Sequence, residues 1–456
     1  MENKDKIFDA YGNEFEVSDK DFAFVQQDSK IHDVKFDTKP TTFAKDALKR
    51  FAKNKSSVVG AIIIGFILLL AIIIPIVSPH DASFNYVSPE ETLLLPKLNE
   101  AGTGFWDGTK VMKDVPYSTE TGLPLDATYK ENAIIDGKDG ITVYEKDGAT
   151  VCSFRYDFYE DKLGLTRMRV PEVIYFQYVE QGFMTMGDNV EDFKILDEEK
   201  SPIVKVYEVD KEEGNIVCDV IMYKYKGYEK MPKYLFGTDE NGRDAFTLCF
   251  RGLGVSLLFA IFIAGVCFTF GLIWGATSGY FGGNVDLLME RFCELLGGVP
   301  SIVIVTLLRL HLGASFGVFI MALCLTGWLS TAARTRTQFY RFKGREYVLA
   351  SRTLGSSDYR LIFKHILPNS LGTIVTSSVL MIPSLIFTEA TFSYLQLGIE
   401  GITTFGSILS NNQQYIATYP ALIVFPAVII SLLMISFNLF GNGLRDALNP
   451  SLKGSE

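Results

Sequence analysis

Few residues in this 456-residue chain have types and spacing that could do chemistry. Gly137-Lys138 comes nearest to a phosphate-binding loop, but Asp139 follows where Ser or Thr is needed. Without a glycine-rich cradle and its Lys, the chain is not expected to bind or hydrolyse ATP itself. No Gly-x-Ser-x-Gly, His-Glu-x-x-His or paired-carboxylate arrangement is convincing, so no catalytic residue is assigned and the chain does not read as an enzyme on its own. The segment Gly237-Thr238-Asp239-Glu240-Asn241-Gly242-Arg243-Asp244 has carboxylates near glycines, as a calcium loop does. It lacks the regular oxygen spacing and terminal Glu of such a loop, which favours a structural turn. Glu389, in an apolar run that also holds Pro383, is an ionisable group at membrane depth. Such groups face a bundle interior or a water-filled cavity. Glu389 lines a pathway, bonds across a subunit interface, or hydrogen-bonds a neighbouring helix, and the sequence leaves the three open. With four His, six Cys and no Cys-x-x-Cys, no metal centre is expected. Cys152 and Cys218 are expected as buried thiols, with a disulfide as the alternative if their block lies outside the cell.

A second kind of chemistry is recognition. Arg334–Pro368 reads RTRTQFYRFKGREYVLASRTLGSSDYRLIFKHILP and carries eight bases against Glu346 and Asp358. Its spacing predicts a helix, a corner at Gly355, and a second helix from about Tyr359 capped by Ser356-Ser357-Asp358. Small residues at Ala350, Ser351 and Gly355 would let another protein approach closely. The plain alternative is an amphipathic loop on lipid headgroups.

The elements that must position these residues are membrane spans. The first is Val58–Val77, about 20 residues or roughly 30 Å of helix, enough to cross a bilayer. Lys45, Lys49, Arg50, Lys53 and Lys55 precede it, which predicts a cytoplasmic N-terminus. The second is near Val255–Thr277. Spans three and four share Leu295–Ala333 with a turn near His311–Ser315. Span five is near Leu371–Tyr394 and span six near Ala417–Phe440. Six crossings return the C-terminus inside and place the basic loop inside, as its charge independently requires.

Between spans one and two lies a block that must then be outside. From Pro79 to Leu235 it has 30 acids and 18 bases, while the whole chain is −10. The acidity therefore belongs to this block, and no basic, aromatic-interleaved surface suggests nucleic acid. Ile141–Tyr159, turning at Lys146-Asp147-Gly148, and Ile203–Tyr225, turning near Glu213-Gly214, alternate as hairpins. A small β-rich or α+β domain is expected.

Leu349-Ala350-Ser351, Gly355 and Leu367-Pro368 stand at the spacing of the EAA loop of binding-protein-dependent ABC importer permeases, and the loop resembles it. Leu349 replaces the Glu of that pattern and His365 the Ile. The GTDENGRD segment, Gly279-Tyr280-Phe281-Gly282-Gly283 with Asp286, Phe387-Thr388-Glu389-Ala390 through Leu397-Gly398, and Phe437 to Pro450 resemble the C-type permease of dipeptide, oligopeptide and nickel importers. The resemblance covers Lys45–Pro79 and Leu235–Pro450, and the large outer block is not typical of it.

The resemblance implies an all-α polytopic membrane protein with six transmembrane helices of the type I ABC importer permease (MetI-like) fold, carrying a β-rich extracellular insertion between helices 1 and 2. The expected organisation is a cytoplasmic tail at 1–56, helix 1 at 57–78, the insertion at 79–235, the permease core at 236–450 with the coupling loop at 334–368, and a cytoplasmic tail at 451–456. It further implies a second permease as heterodimer partner, two cytoplasmic ABC ATPases that use ATP and Mg, an extracellular solute-binding lipoprotein, and a peptide substrate, in the cell membrane. No cofactor is expected on this chain. Leu349, Ala350, Ser351, Arg352, Gly355, Ser356, Asp358, Leu367 and Pro368 would couple to the ATPases. Nickel or a metal chelate is the alternative substrate, and a membrane receptor or scaffold is the alternative of another class.

Overall fold

The computed structural model describes residues 5–8, 14–17, 43–80, 87–98, 106–187, 189–210 and 212–448. Most of the expected tail at 1–56, the tail at 451–456, and Asn449-Pro450 lie outside the described residues. The chain divides into two units, 1–48 and 49–456. The first holds β1 (Asp5–Phe8) and β2 (Glu14–Val17), paired antiparallel with Asp5 opposite Val17. Helix α1 (Phe43–Lys53) runs across the division.

In the second unit, α2 (Lys55–Val77) starts where Asn54 accepts the Ser57 N–H at 3.3 Å. Its mean hydropathy of 3.1 over a span-length window suits a bilayer. The insertion follows. One sheet has the order β4-β3-β6-β5, from β3 (Thr109–Ser118), β4 (Leu123–Pro124), β5 (Thr142–Lys146) and β6 (Ala149–Asp157). Asp147 and Gly148 turn β5 into β6 with φ of 53° and 78°, the two left-handed positions that a tight hairpin turn requires. Helix α3 (Phe158–Leu163) leads to β7 (Leu165–Pro171) and α4 (Glu172–Glu180). β8 (Ile203–Asp210), β9 (Asn215–Ile221) and the one-turn helix α5 (Met222–Tyr225) complete the insertion, in a second sheet of order β7-β9-β8. Both expected hairpins are present. β3 was not expected, and its residues explain why: Lys113, Asp114 and Pro116 break the alternation, and a bulge between Met112 and Val115 puts Asp114 at φ 58°. Cys152 and Cys218 are free thiols buried in separate hydrophobic clusters.

The remaining elements are helical. α6 (Ala245–Phe281) is a single 37-residue helix, far longer than the expected second span. α7 (Gly283–Gly297) and α8 (Ser301–Leu312) are bent by 73° at the intervening break. Val299-Pro300 follows two glycines there, and Pro cannot continue a helix. The expected third span, from Leu295, runs across this break: α8 alone has 12 residues, about 18 Å, too short for a bilayer core, so only the bent α7–α8 pair together is a candidate for it. The turn after it falls at Gly313–Ser315, as expected. α9 (Phe316–Gly327) and α10 (Leu329–Lys343) make one span-length run. The basic loop continues with α11 (Glu346–Thr353), α12 (Asp358–Arg360), a π turn at Leu361–Ile366, and α13 (Leu367–Val379). α14 (Met381–Tyr394), α15 (Phe405–Asn412) and α16 (Ala421–Leu448) end the described chain. Among the described residues, five helical runs are long and apolar enough to cross a membrane, and the bent α7–α8 pair is a sixth candidate.

Glycines let α6 and α10 touch backbone to backbone. A Cβ on Gly275 would lie 2.2 Å from the Ala332 carbonyl oxygen, and one on Gly279 2.7 Å from the Phe339 Cβ. In lipid, where apolar burial gives no drive to association, such small-residue contact is what holds helices together.

Candidate functional site

The basic loop is built on an apolar underside. Tyr280, Phe339, Val348, Leu361 and Ile366 are buried together, so α6, α10, α11 and the π turn share one small core. Polar contacts tie α6, α10 and α11 to one another and to α7 and α12. Asp286 accepts from Arg336 Nε at 2.5 Å and Nη2 at 2.6 Å, from the Tyr340 hydroxyl at 2.7 Å, and from Ser278. The Lys343 ammonium donates to the Gly279 carbonyl at 2.9 Å. Arg352 donates to the Tyr280 hydroxyl at 3.2 Å, and that hydroxyl donates to Asp358. A bidentate Arg–carboxylate pair in partial burial is a strong, directional tie.

The corner itself is open. Gly355 has φ 80° and nothing within 4 Å of where a Cβ would sit. Ser351 Oγ lies 2.9 Å from Ser356 Oγ and 3.2 Å from His365 Nε2, so three side chains brace the corner from within. The His that departs from the family pattern thus has a local partner. Ser357 occupies the cap position of α12 but makes no side-chain cap bond, unlike the expected capping. Leu349, Ala350, Arg352, Gly355, Asp358 and Pro368 are exposed, while Ser351, Ser356 and Leu367 are half-buried. Asp358 and Ser351 already have bonds within the chain. The exposed face is apolar and aromatic: Leu354 is 86% exposed, Tyr359 72% and Phe363 52%. Sequence reasoning missed the Tyr280 and Asp286–Arg336 anchors as a unit. Their partners lie 50 to 78 residues apart, and no local pattern links them.

The GTDENGRD segment forms a closed turn. Asp239 accepts the backbone N–H of Asn241 at 3.0 Å and of Arg243 at 2.9 Å, and pairs with the buried Arg243 guanidinium at 2.6 Å. Asp244 caps α6 through the N–H of Thr247 at 3.0 Å. Thr238 accepts the Leu94 N–H at 2.7 Å. Gly237 and Gly242 have φ of 80° and 78°, and a Cβ on either would meet the carbonyl of Leu94 or Ser88 within 2.4 Å. Both carboxylates face their own turn, so the arrangement welds the start of α6 to the segment before the sheets.

Glu389 is fully buried. Its carboxylate accepts from Ser256 of α6 at 3.0 Å, Ser393 of α14 at 2.9 Å and Thr404 at 2.6 Å. These partners lie on α6, on α14 and at the start of α15. Pro383 is buried just past the α13–α14 break.

Residues 268–454 match the family described as binding-protein-dependent transport system inner membrane component, and residues 42–96 match the N-terminal transmembrane domain of oligopeptide transport permease C. The chain is 41% identical over 219 residues to the oligopeptide transport system permease protein OppC of Bacillus subtilis (strain 168), covering 48% of this chain and 72% of that protein. It is 38% identical to the dipeptide transport system permease protein DppC of Lactococcus lactis subsp. cremoris (strain MG1363), over 50% of this chain and 67% of that protein. It is 40% identical to DppC of Bacillus subtilis (strain 168), over 48% of this chain and 69% of that protein. The two family matches leave residues 97–267 between them, which hold most of the β-rich insertion and the first part of α6. On this coverage and identity, the chain belongs to the binding-protein-dependent inner-membrane permease family, in its oligopeptide and dipeptide permease C branch.

Proposed function

We propose that this chain is the permease subunit of an ATP-driven peptide importer, forming half of the pathway and receiving energy from cytoplasmic ATPase subunits. The observation that carries this reading is the basic loop: an exposed face of Leu354, Tyr359 and Phe363 lies in front of the Asp286–Arg336 and Tyr280–Asp358 ties. Exposed large apolar groups at a corner braced from behind suit a docking surface that transmits force. A push on α11 reaches α6 through the Arg352–Tyr280 bond and α10 through the Ser278–Asp286–Arg336 chain, so two helix bundles could rock as rigid bodies.

In this reading the α7–α8 pair completes six crossings, both termini and the loop at 334–368 are cytoplasmic, and residues 79–235 are extracellular. A second permease, two ATPases and an extracellular binding lipoprotein complete the complex. ATP and Mg act in the ATPases. Leu349, Ala350, Arg352, Gly355 and Pro368 meet an ATPase directly, while Ser351, Ser356 and Asp358 hold the corner. The Gly237–Asp244 turn fixes the start of α6, and Glu389 latches α15 to α6 and α14.

The test is uptake of labelled short peptides into liposomes holding this chain with its co-purified partners. ATP-dependent accumulation is expected. Co-purification of an ATPase with no peptide uptake would reject the substrate, and purification with no ATPase would reject the importer.

A further inference from the structure

The run Asp358–Tyr394 is not one uninterrupted helix. α13 ends at Val379 and α14 begins at Met381, and Pro383 has no N–H to give the Val379 carbonyl four residues back. A cavity of about 340 Å³ lies at this break. Ser330 and Arg334 of α10, Ser377 and Ser384 on either side of the break, and Asn438 of α16 line it. Interrupted backbone at membrane depth is tolerated where it is buried in protein or faces a water-filled cavity.

Among the described residues, the charge in this cavity has no counter-ion. Arg336, two residues on, is committed to Asp286, and Arg309 is committed to Glu400 at 2.6 Å. Among the described residues, Arg334 has no carboxylate within ion-pair distance, and it is exposed. Ser377 and Ser384 donate their hydroxyls to the Ile374 and Leu380 carbonyls, at 2.8 Å and 3.3 Å. Asn438 is exposed, and its carboxamide has no hydrogen-bond partner among the described residues. An unpaired guanidinium on a polar, concave face of span-length helices belongs against water or solute rather than acyl chains.

We propose that Arg334, at the cytoplasmic end of the α9–α10 run and supported by Asn438, is a carboxylate-binding subsite at the inner mouth of the pathway that takes the C-terminal carboxylate of a peptide in transit. This inference rests on the peptide-importer reading. A pathway tolerant of side chains can grip only what all peptides share, and the terminal carboxylate is the one anion common to them. The planar guanidinium fork matches it with two parallel hydrogen bonds. The break at Pro383 supplies the room.

The experiment compares ATP-dependent uptake of a labelled neutral tripeptide and of its C-terminal amide by the complete transporter in liposomes, with partners unchanged. The wild type is expected to favour the free acid in kcat/KM by about tenfold or more, the range of a charged hydrogen-bonded contact. Arg334→Gln should bring that ratio towards one by lowering the free-acid value alone, and Arg334→Lys should restore part of it. ATP hydrolysis and co-purification of partners check assembly. An unchanged ratio in Arg334→Gln, or no preference in the wild type, overturns the proposal. So does an equal fall for both peptides, which would assign Arg334 to lipid headgroups or to packing. Wild-type complex that accumulates neither peptide overturns the importer reading itself, a result distinct from these.

Discussion

Gly355 contributes a backbone conformation. At φ 80° a side chain pays a left-handed penalty of about 1–2 kcal/mol, yet no atom would clash with its Cβ. Gly355→Ala is therefore expected to fold and assemble. Gly355→Trp sets an indole beside the exposed Leu354 and Tyr359, on the face read here as the ATPase contact. Uptake should fall tenfold or more while ATP hydrolysis persists, measured in the same liposomes, and wild-type uptake would remove this corner from coupling. A second prediction concerns thiols. Burial pushes the Cys218 thiol up to about 12 and raises that of Cys152. The thiolate is the nucleophile, so neither should be alkylated by maleimide at pH 7 in the folded protein. Both should react after denaturation without reductant, as read by peptide mass. A mass showing them joined would contradict the free thiols.

Elements are held together here by close approach and by buried hydroxyl–carboxylate clusters. Gly275→Leu would drive a side chain into the Ala332 carbonyl, 2.2 Å from the Cβ position. Overpacking of this kind costs about 1–3 kcal/mol or more, so the thermal midpoint of the purified complex should drop by several degrees. An unchanged midpoint would mean that α6 and α10 separate freely. The sequence made long elements legible because span-length apolar runs have few other fates, and α2, α6 and α16 follow directly from them. The hairpins were legible because Asp147-Gly148 and Gly214 punctuate period-two alternation. α8 was not, because Pro300 cuts a run whose composition alone still reads as a span. The site was half legible. Gly355 and its neighbours form a local pattern, whereas Asp286 with Arg336, and Glu389 with Thr404 and Ser256, are tertiary encounters that no spacing announces.

At the scale of the molecule, the insertion is seated on the end of α16 nearest the sheets. Trp106 stacks on Phe425 at 5.2 Å between ring centroids and 7° between planes, and Phe236 stacks on Phe425 at 4.2 Å. Lys110 donates to the Thr418 carbonyl at 3.2 Å, and Phe158 meets Tyr419 edge-on. Thr418 and Tyr419 follow Ser410, Asn411, Gln413 and Gln414, which line a polar cavity with Glu240 and Gln396. Glu240 in turn accepts from Tyr415 at 3.0 Å. The insertion is thus positioned to move with α16 and with the cavity rim. If the ring stack carries that attachment, Trp106→Ala and Phe425→Ala should be non-additive. Aromatic pairs of this geometry couple by about 0.5–1.5 kcal/mol beyond the area they bury. A double-mutant cycle on thermal midpoints should return a coupling of that size, and limited proteolysis should cut the insertion faster in either single variant. Additive midpoints with unchanged proteolysis would mean that the insertion is held by the Gly237–Asp244 weld instead, leaving it free to move independently of α16.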